Sequence, residues 1–275
     1  MKKPKNTDPS LAKDLLAQSK HLCVLTGAGI SAESGIKTFR DAGGLWEDHP
    51  VEKVATREGF ADDPVLVWKF YNARRKAADI AVPNAAHLAL ARMELGRVRE
   101  TKKKQIPGSG RNGHGNGNGI GTHGHEAEAM TILTQNIDGL HQQAGSQNVV
   151  ELHGSIWKVR CTQCGEVSSD FPIELPLLPY CEECKGLLRP HVVWFGESLE
   201  EDVLADAAKA VKSCDVFLVI GTSAVVQPAA SYPFMAAAQR IPVIEVNLEP
   251  TPISAIATVS LRAKAGEVLP KIVPG

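Results

Sequence analysis

The chain has 275 residues, 43% hydrophobic and 22% charged, enough to bury a core either as one large α/β domain or as a large domain carrying a smaller one. Its 30 lysines and arginines balance 31 acidic residues, a formal charge of -1, so no specific nucleic-acid or membrane partner is expected. No apolar run approaches the roughly 18 residues of a membrane span, and the opening MKKPKNTDPS lacks the apolar centre of a secretory signal, so a cytoplasmic protein is expected.

Asp8-Pro9 ahead of Leu11, Leu15 and Leu16 is an N-cap with proline at the first helical position, which predicts a first helix. The apolar run 22–26 reads as a strand and leads into GAGISAESGIKTFRD, residues 27–41. Gly27, Gly29 and Ala32 there fit a G-x-G-x-x-G/A turn: one glycine for the turn, one for close approach to a pyrophosphate, and a small third residue for helix packing. Segment 46–96 reads as helical, with Asp63-Pro64 as a start signal and Val67, Phe70 and Tyr71 on one face. Residues 108–124 hold eight glycines in 17 positions, a composition that predicts a flexible loop; metal binding by His114, His123 and His125 is the rival reading. Runs 130–134, 149–152, 216–221 and 243–247 are short, apolar and β-branched, as in a parallel sheet buried on both faces. In such sheets ligands gather beyond the carboxyl ends of the strands, which puts Gly27, Asn136, His153, Ser223 and Asn247 within reach of one ligand.

Cys161, Cys164, Cys181 and Cys184 form C-x2-C-x16-C-x2-C, a spacing that closes a tetrahedral zinc site. Four thiolates leave no open position, so one structural Zn2+ is expected, holding a small ribbon. A zinc ribbon that binds nucleic acid is the competing use, and the charge balance argues against it. Cys23 and Cys214 border apolar strands and read as small core residues. On residues alone, His153 is as much a structural histidine as a base, Gln135, Asn136 and Asp138 are equally a polar turn, and Tyr71 with Arg74 belongs to a solvated helix face. A hydride-transferring dehydrogenase shares the glycine turn. No acidic residue ends a second strand about 20 residues later, where that class binds ribose.

The glycine turn, TQNIDGLH at 134–141, ELHG at 151–154 and the two Cys-x-x-Cys pairs, in that order, resemble the sirtuin family of NAD-dependent protein lysine deacylases. The resemblance covers nearly the whole chain from about residue 22 and departs at 108–125, where sirtuins generally have a shorter connection. It implies an α/β fold: a Rossmann-like parallel-sheet domain (1–45, 126–156 and 191–275) with a smaller domain made of a helical module (46–107) and a four-cysteine zinc ribbon (157–190).

It also implies roles. His153 is the general base, with Asn136 beside it, and an ordinary imidazole suits proton uptake near neutral pH. Gly27, Ala28, Gly29, Ile30, Ser31, Ala32, Glu33, Thr38, Phe39, Arg40 and Trp46 wrap the NAD co-substrate, with Phe39 over the reacting sugar carbon and Arg40 near the pyrophosphate. Gln135, Asn136, Ile137 and Asp138 contact the nicotinamide side, and Gly221, Thr222, Ser223, Asn247, Leu248, Glu249 and Ala265 line the adenosine half. Val193 and Phe195 belong to the acyl-lysine channel, where a protein or peptide substrate adds as a strand between the domains. Tyr71 and Arg74 match the pair that binds the distal carboxylate of succinyl- or malonyl-lysine in class III members, and Ala55 matches a small residue that widens that pocket. The implied products are free lysine, nicotinamide and O-acyl-ADP-ribose. Protein ADP-ribosylation and non-catalytic reading of acyl-lysine are the alternatives within the same cleft.

Overall fold

The computed structural model describes residues 7–37, 45–46, 49–104, 129–169 and 171–273. The glycine-rich loop 108–125 lies outside them. The strands are β1 (Leu22–Thr26), β2 (Leu45–Trp46), β3 (His49–Pro50), β4 (Met130–Thr134), β5 (Val149–Glu151) and β6 (Gly154–Cys161). They continue as β7 (Val167–Ser168), β8 (Leu188–Val192), β9 (Val216–Ile220), β10 (Val243–Val246) and β11 (Val259–Leu261).

Six strands form one parallel sheet in the order β11-β10-β9-β1-β4-β5. β1 and β9 are buried along their full length, which is why they read in the sequence as unbroken apolar runs. Their side chains alternate between two cores. Leu22 and Val24 face the helices Pro9–Gln18, Ala85–Lys104 and Ala265–Ile272, whereas Cys23 and Leu25 face Glu201–Ser213 and Tyr232–Ala238. Cys23 and Cys214 both sit in the second core, as small apolar residues do. Strand order reverses between β1 and β9, so the crevice beyond their carboxyl ends is the expected ligand position of this architecture.

A smaller antiparallel sheet, β7-β6-β8, carries the four clustered cysteines. It shares a core with the helix Pro64–Ile80, through Trp68, Phe70 and Tyr71 against Ile156, Val159, Leu188 and Trp194. That helix starts where the sequence signals it: Asp63 Oδ1 accepts from the Leu66 N–H at 2.9 Å, and Pro64 occupies the first turn. One element packs differently from the sequence-based division. The helix Ala85–Lys104 places Ala86, Ala89, Leu90 and Met93 in the core of the large sheet, so the segment 46–107 is split between the two cores. Among the described residues no helix is long and apolar enough to cross a membrane.

Candidate active site

The turn after β1 is built by backbone against backbone. The Gly27 N–H donates to Ile220 O at 3.0 Å and the Gly29 N–H to Gly221 O at 2.8 Å, joining the ends of β1 and β9. A Cβ on Gly29 would stand 2.7 Å from Gly221 O, and one on Gly221, whose φ is +59°, would stand 2.5 Å from Ile30 N. Gly29 is therefore small because of this crossing. Ala32, read as a small packing residue, is exposed, so close helix packing is not what holds that position small.

β4 delivers the next group. Asn136 is buried and donates through Nδ2 to Gly27 O at 3.2 Å and to Ser31 Oγ at 2.9 Å. Ser31 in turn bonds the Asp138 carboxylate, whose pKa is raised by burial against the opposing pull of the Leu140 N–H, Ser31 and Arg74. Gln135 Nε2 donates to Thr222 Oγ1 at 3.0 Å, linking this segment to the turn after β9. Asn247 Nδ2 donates to Thr222 O at 2.8 Å, so the loop after β10 is tied to the same turn.

His153 follows β5. Its Nδ1 lies 3.1 Å from Gln135 O, and because a carbonyl oxygen only accepts, Nδ1 carries the proton and Nε2 presents the lone pair. Burial lowers its pKa from the ordinary value, partly offset by that carbonyl. The His153 carbonyl accepts from the Val193 N–H at 2.9 Å, and Ala55 O accepts from the Phe195 N–H at 3.0 Å. Segment 193–195 thus bridges the histidine loop and the helical module.

A cleft of about 320 Å³ brings these residues together. It is lined by Gly27, Ala28, Gly29, Ser31, Gln135, Asn136, Ile137, Asp138, His153, Gly221, Thr222 and Ser223 on the large-sheet side. Ala55, Tyr71, Arg74, Val193, Trp194 and Phe195 also line it. Burial pushes the Tyr71 phenol up to about 12, so it stays a neutral donor at working pH. Other expected contacts do not line it. Ile30 and Ala265 are in the core, the Glu33 carboxylate accepts from the Gly266 N–H at 3.0 Å, and Leu248 and Glu249 are exposed. Thr38, Phe39, Arg40 and the Trp46 side chain lie outside the described residues.

The cleft also includes Ile36 and Lys37, which lie inside the segment expected to wrap the cofactor without being singled out, and Val226 and Gln227, which sequence reasoning did not name. The last two lie six and seven residues beyond the end of β9, in the loop that begins with Gly221, so extending the rule about strand ends along that loop could have found them. A larger groove of about 840 Å³ is lined by Lys158, Arg160, His191, Glu200 and Asp202 but holds none of His153, Asn136, Tyr71 or Arg74. Convergence of reactive groups, and not size, marks the site.

The Sγ atoms of Cys161, Cys164, Cys181 and Cys184 all lie within 4.8 Å of one another, with Cys161 to Cys184 at 3.4 Å and Cys164 to Cys181 at 3.9 Å. Tetrahedral Zn2+ with about 2.3 Å bonds to sulfur spaces its ligands at about 3.8 Å, so these four residues fit a closed structural zinc site.

Comparison with known proteins agrees with this geometry. The Sir2 family matches residues 27–105 and 119–228. The NAD-dependent protein deacylase 2 of Pyrobaculum aerophilum is 46% identical over 262 residues, covering 94% of this chain and 92% of its own. The mitochondrial NAD-dependent protein deacylase sirtuin-5 of Danio rerio is 38% identical over 294 residues, covering 97% and 88%. A solved Sir2 homologue in complex with NAD superimposes with a TM-score of 0.80 at 43% identity, over 99% of this chain and 95% of that one. A mutant Sir2 homologue bound to 2'-O-acetyl ADP ribose gives 0.77 at 43% identity, over 97% and 95%. The chain belongs to the Sir2 family of NAD-dependent protein deacylases.

Proposed function

We propose that this deacylase removes acidic acyl groups, succinyl and malonyl, from lysine as well as acetyl, releasing nicotinamide and O-acyl-ADP-ribose. The observation that carries the proposal is one cleft shared by two chemistries: Tyr71 and Arg74 line the same cavity as His153, Asn136 and Gln135. A guanidinium offers a fork of N–H donors matched to a carboxylate, and a neutral phenol adds one more donor. Ala55 is buried and short, leaving room for a branch longer than acetyl.

NAD supplies a sugar carbon that becomes electrophilic as nicotinamide leaves, and its ribose carries the acyl group away. The turn of Gly27 to Ser31 would hold the phosphates together with Thr222 and Ser223, which line the same cleft and whose backbone and hydroxyls offer donors without bulk. Asn136, held by Gly27 O and Ser31 Oγ, has a fixed amide plane with which to orient the nicotinamide side. His153 takes a ribose proton at Nε2, since Nδ1–H is fixed on Gln135 O and burial keeps the ring neutral. Val193 and Phe195 hold the acyl-lysine in line and keep water from the reacting carbon.

The test is one peptide carrying acetyl-, succinyl- or malonyl-lysine, turned over with NAD, with kcat/KM compared and product masses read. Faster turnover of the acidic acyl groups supports the proposal. Equal or lower kcat/KM for succinyl than for acetyl rejects the acyl assignment, and a peptide that gains ADP-ribose instead of losing its acyl group rejects deacylation.

A further inference from the structure

Trp194 and Tyr71 are 123 positions apart and joined by one hydrogen bond: the indole Nε1–H donates to the Tyr71 hydroxyl oxygen at 2.9 Å. Both rings are buried, and both line the cleft. A phenol hydrogen prefers the plane of its ring and can lie on either side of the oxygen. An indole donor on one side directs it to the other. We propose that Trp194 is a positioning residue for acyl selectivity, its indole N–H orienting the Tyr71 hydroxyl so that the phenol proton is offered, beside Arg74, to the distal carboxylate of the acyl chain. This rests on the reading of Tyr71 and Arg74 as the acyl-carboxylate pair.

The indole is braced by several neighbours, as a positioning group must be. The Arg189 guanidinium lies 3.4 Å over its ring centroid, and Phe60 packs at 5.3 Å between centroids. Arg189 donates to both Glu197 oxygens, at 2.6 and 2.9 Å, and Glu197 Oε2 accepts the Trp194 backbone N–H at 2.8 Å. Arg57 Nε adds a 2.6 Å bond to the same carboxylate. Burial alone would raise the Glu197 carboxyl, but Arg189, the Trp194 N–H and Arg57 overcome it and hold it at about 2, so the brace stays charged at working pH. A cation stacked on the indole also draws electron density from the ring and strengthens its N–H as a donor.

The experiment compares wild type, Trp194→Phe, Tyr71→Phe and the double variant on matched succinyl- and acetyl-lysine peptides at saturating NAD. Phenylalanine keeps an aromatic ring beside Arg189 and Phe60 but has no N–H. If Trp194→Phe folds poorly, the sulfur isostere benzothienylalanine at position 194 keeps the indole shape and still lacks the donor. The succinyl-to-acetyl ratio of kcat/KM should fall about tenfold in Trp194→Phe, mainly through KM for the succinyl peptide, as expected for one hydrogen bond near a charge. The double variant should fall no lower in that ratio than Tyr71→Phe, because the indole acts only through the phenol. An unchanged ratio, equal loss on both peptides, or additive losses in the double variant would overturn the inference. If Tyr71→Phe abolishes selectivity and Trp194→Phe does not, the positioning role alone fails; if wild type shows no succinyl selectivity, the underlying acyl reading fails with it.

Discussion

Gly29 and Gly221 meet backbone to backbone across the ends of two parallel strands, the Gly29 N–H donating to Gly221 O at 2.8 Å. A methyl group fits on neither. Gly29→Ala has to push Gly221 away, at a cost of roughly 1–3 kcal/mol for overpacking. Gly221→Ala adds the strain of φ +59° on a side-chain-bearing residue, about 1 kcal/mol more. Both variants should show a lower Tm and a higher KM for NAD, with Gly221→Ala the worse. Wild-type values for both would mean that the crossing relaxes freely.

His153→Tyr should fold and bind NAD yet form no O-acyl-ADP-ribose, which mass spectrometry of the products checks. For the wild type, the base works only when unprotonated. Its pKa lies below the ordinary 6.5 because of burial, so kcat/KM should hold steady as pH falls through that value and decline only below it. An acid limb centred above 6.5 would contradict this environment.

Arg74→Met keeps an unbranched, apolar stem on the helix and removes the guanidinium. Desuccinylation should fall by about two orders of magnitude, the scale of a lost charge-assisted pair, and deacetylation far less. Equal loss in a side-by-side kinetic comparison would remove Arg74 from substrate choice.

Several buried imidazoles make the fold acid-sensitive. Burial lowers His87 to about 4 and His141 to about 3, with His87 adding to the shift of His141. His191 is lowered to about 4 by burial and by Arg160, Lys158 and Arg189. Each binds a proton more readily in the unfolded chain, so stability rises with pH and is lost as pH falls from about 6.5 toward 4. Tm measured across that range should drop steadily, and the loss should shrink in His87→Leu. A flat Tm from pH 7 to 4 would refute it.

Removing zinc should disable catalysis without touching a catalytic side chain. Cys161 and Cys181 belong to the same core as Trp68 and Tyr71, and Trp68 Nε1 donates to Leu188 O at 2.9 Å across to β8. A strong chelator, or Cys181→Ser, should release one Zn2+ per chain, shift tryptophan fluorescence and abolish turnover together. Full activity in metal-free protein would rule out a structural role for the ion.

Five of the six parallel strands were legible as short apolar, β-branched runs, and their ends fall within one residue of expectation, as at 216–221 against Val216–Ile220; the edge strand Val259–Leu261, three residues long with Ser260 at its centre, was not. The cysteine spacing was equally plain, since ligand geometry constrains it. What could not be read is contact between distant segments. Nothing local in Gly29 announces Gly221, nothing in Tyr71 announces Trp194, and the helix Ala85–Lys104 shows an apolar face without naming the sheet it covers. Only the resemblance made Glu33 a cofactor contact, and nothing local announced that its carboxylate accepts from the backbone of Gly266 at the start of the Ala265–Ile272 helix.

The helix Pro64–Ile80 is clamped to the ribbon by more than packing. Asn72 exchanges two hydrogen bonds with the Leu175 backbone, at 2.7 and 3.1 Å, and the buried Arg75 guanidinium donates to Ile156 O, Pro172 O and Ile173 O. Anyone transplanting the Tyr71–Arg74 pair into another scaffold must therefore carry over the helix, the loop before Cys181 and the metal as one cassette, because tyrosine and arginine grafted alone arrive without the frame that aims them.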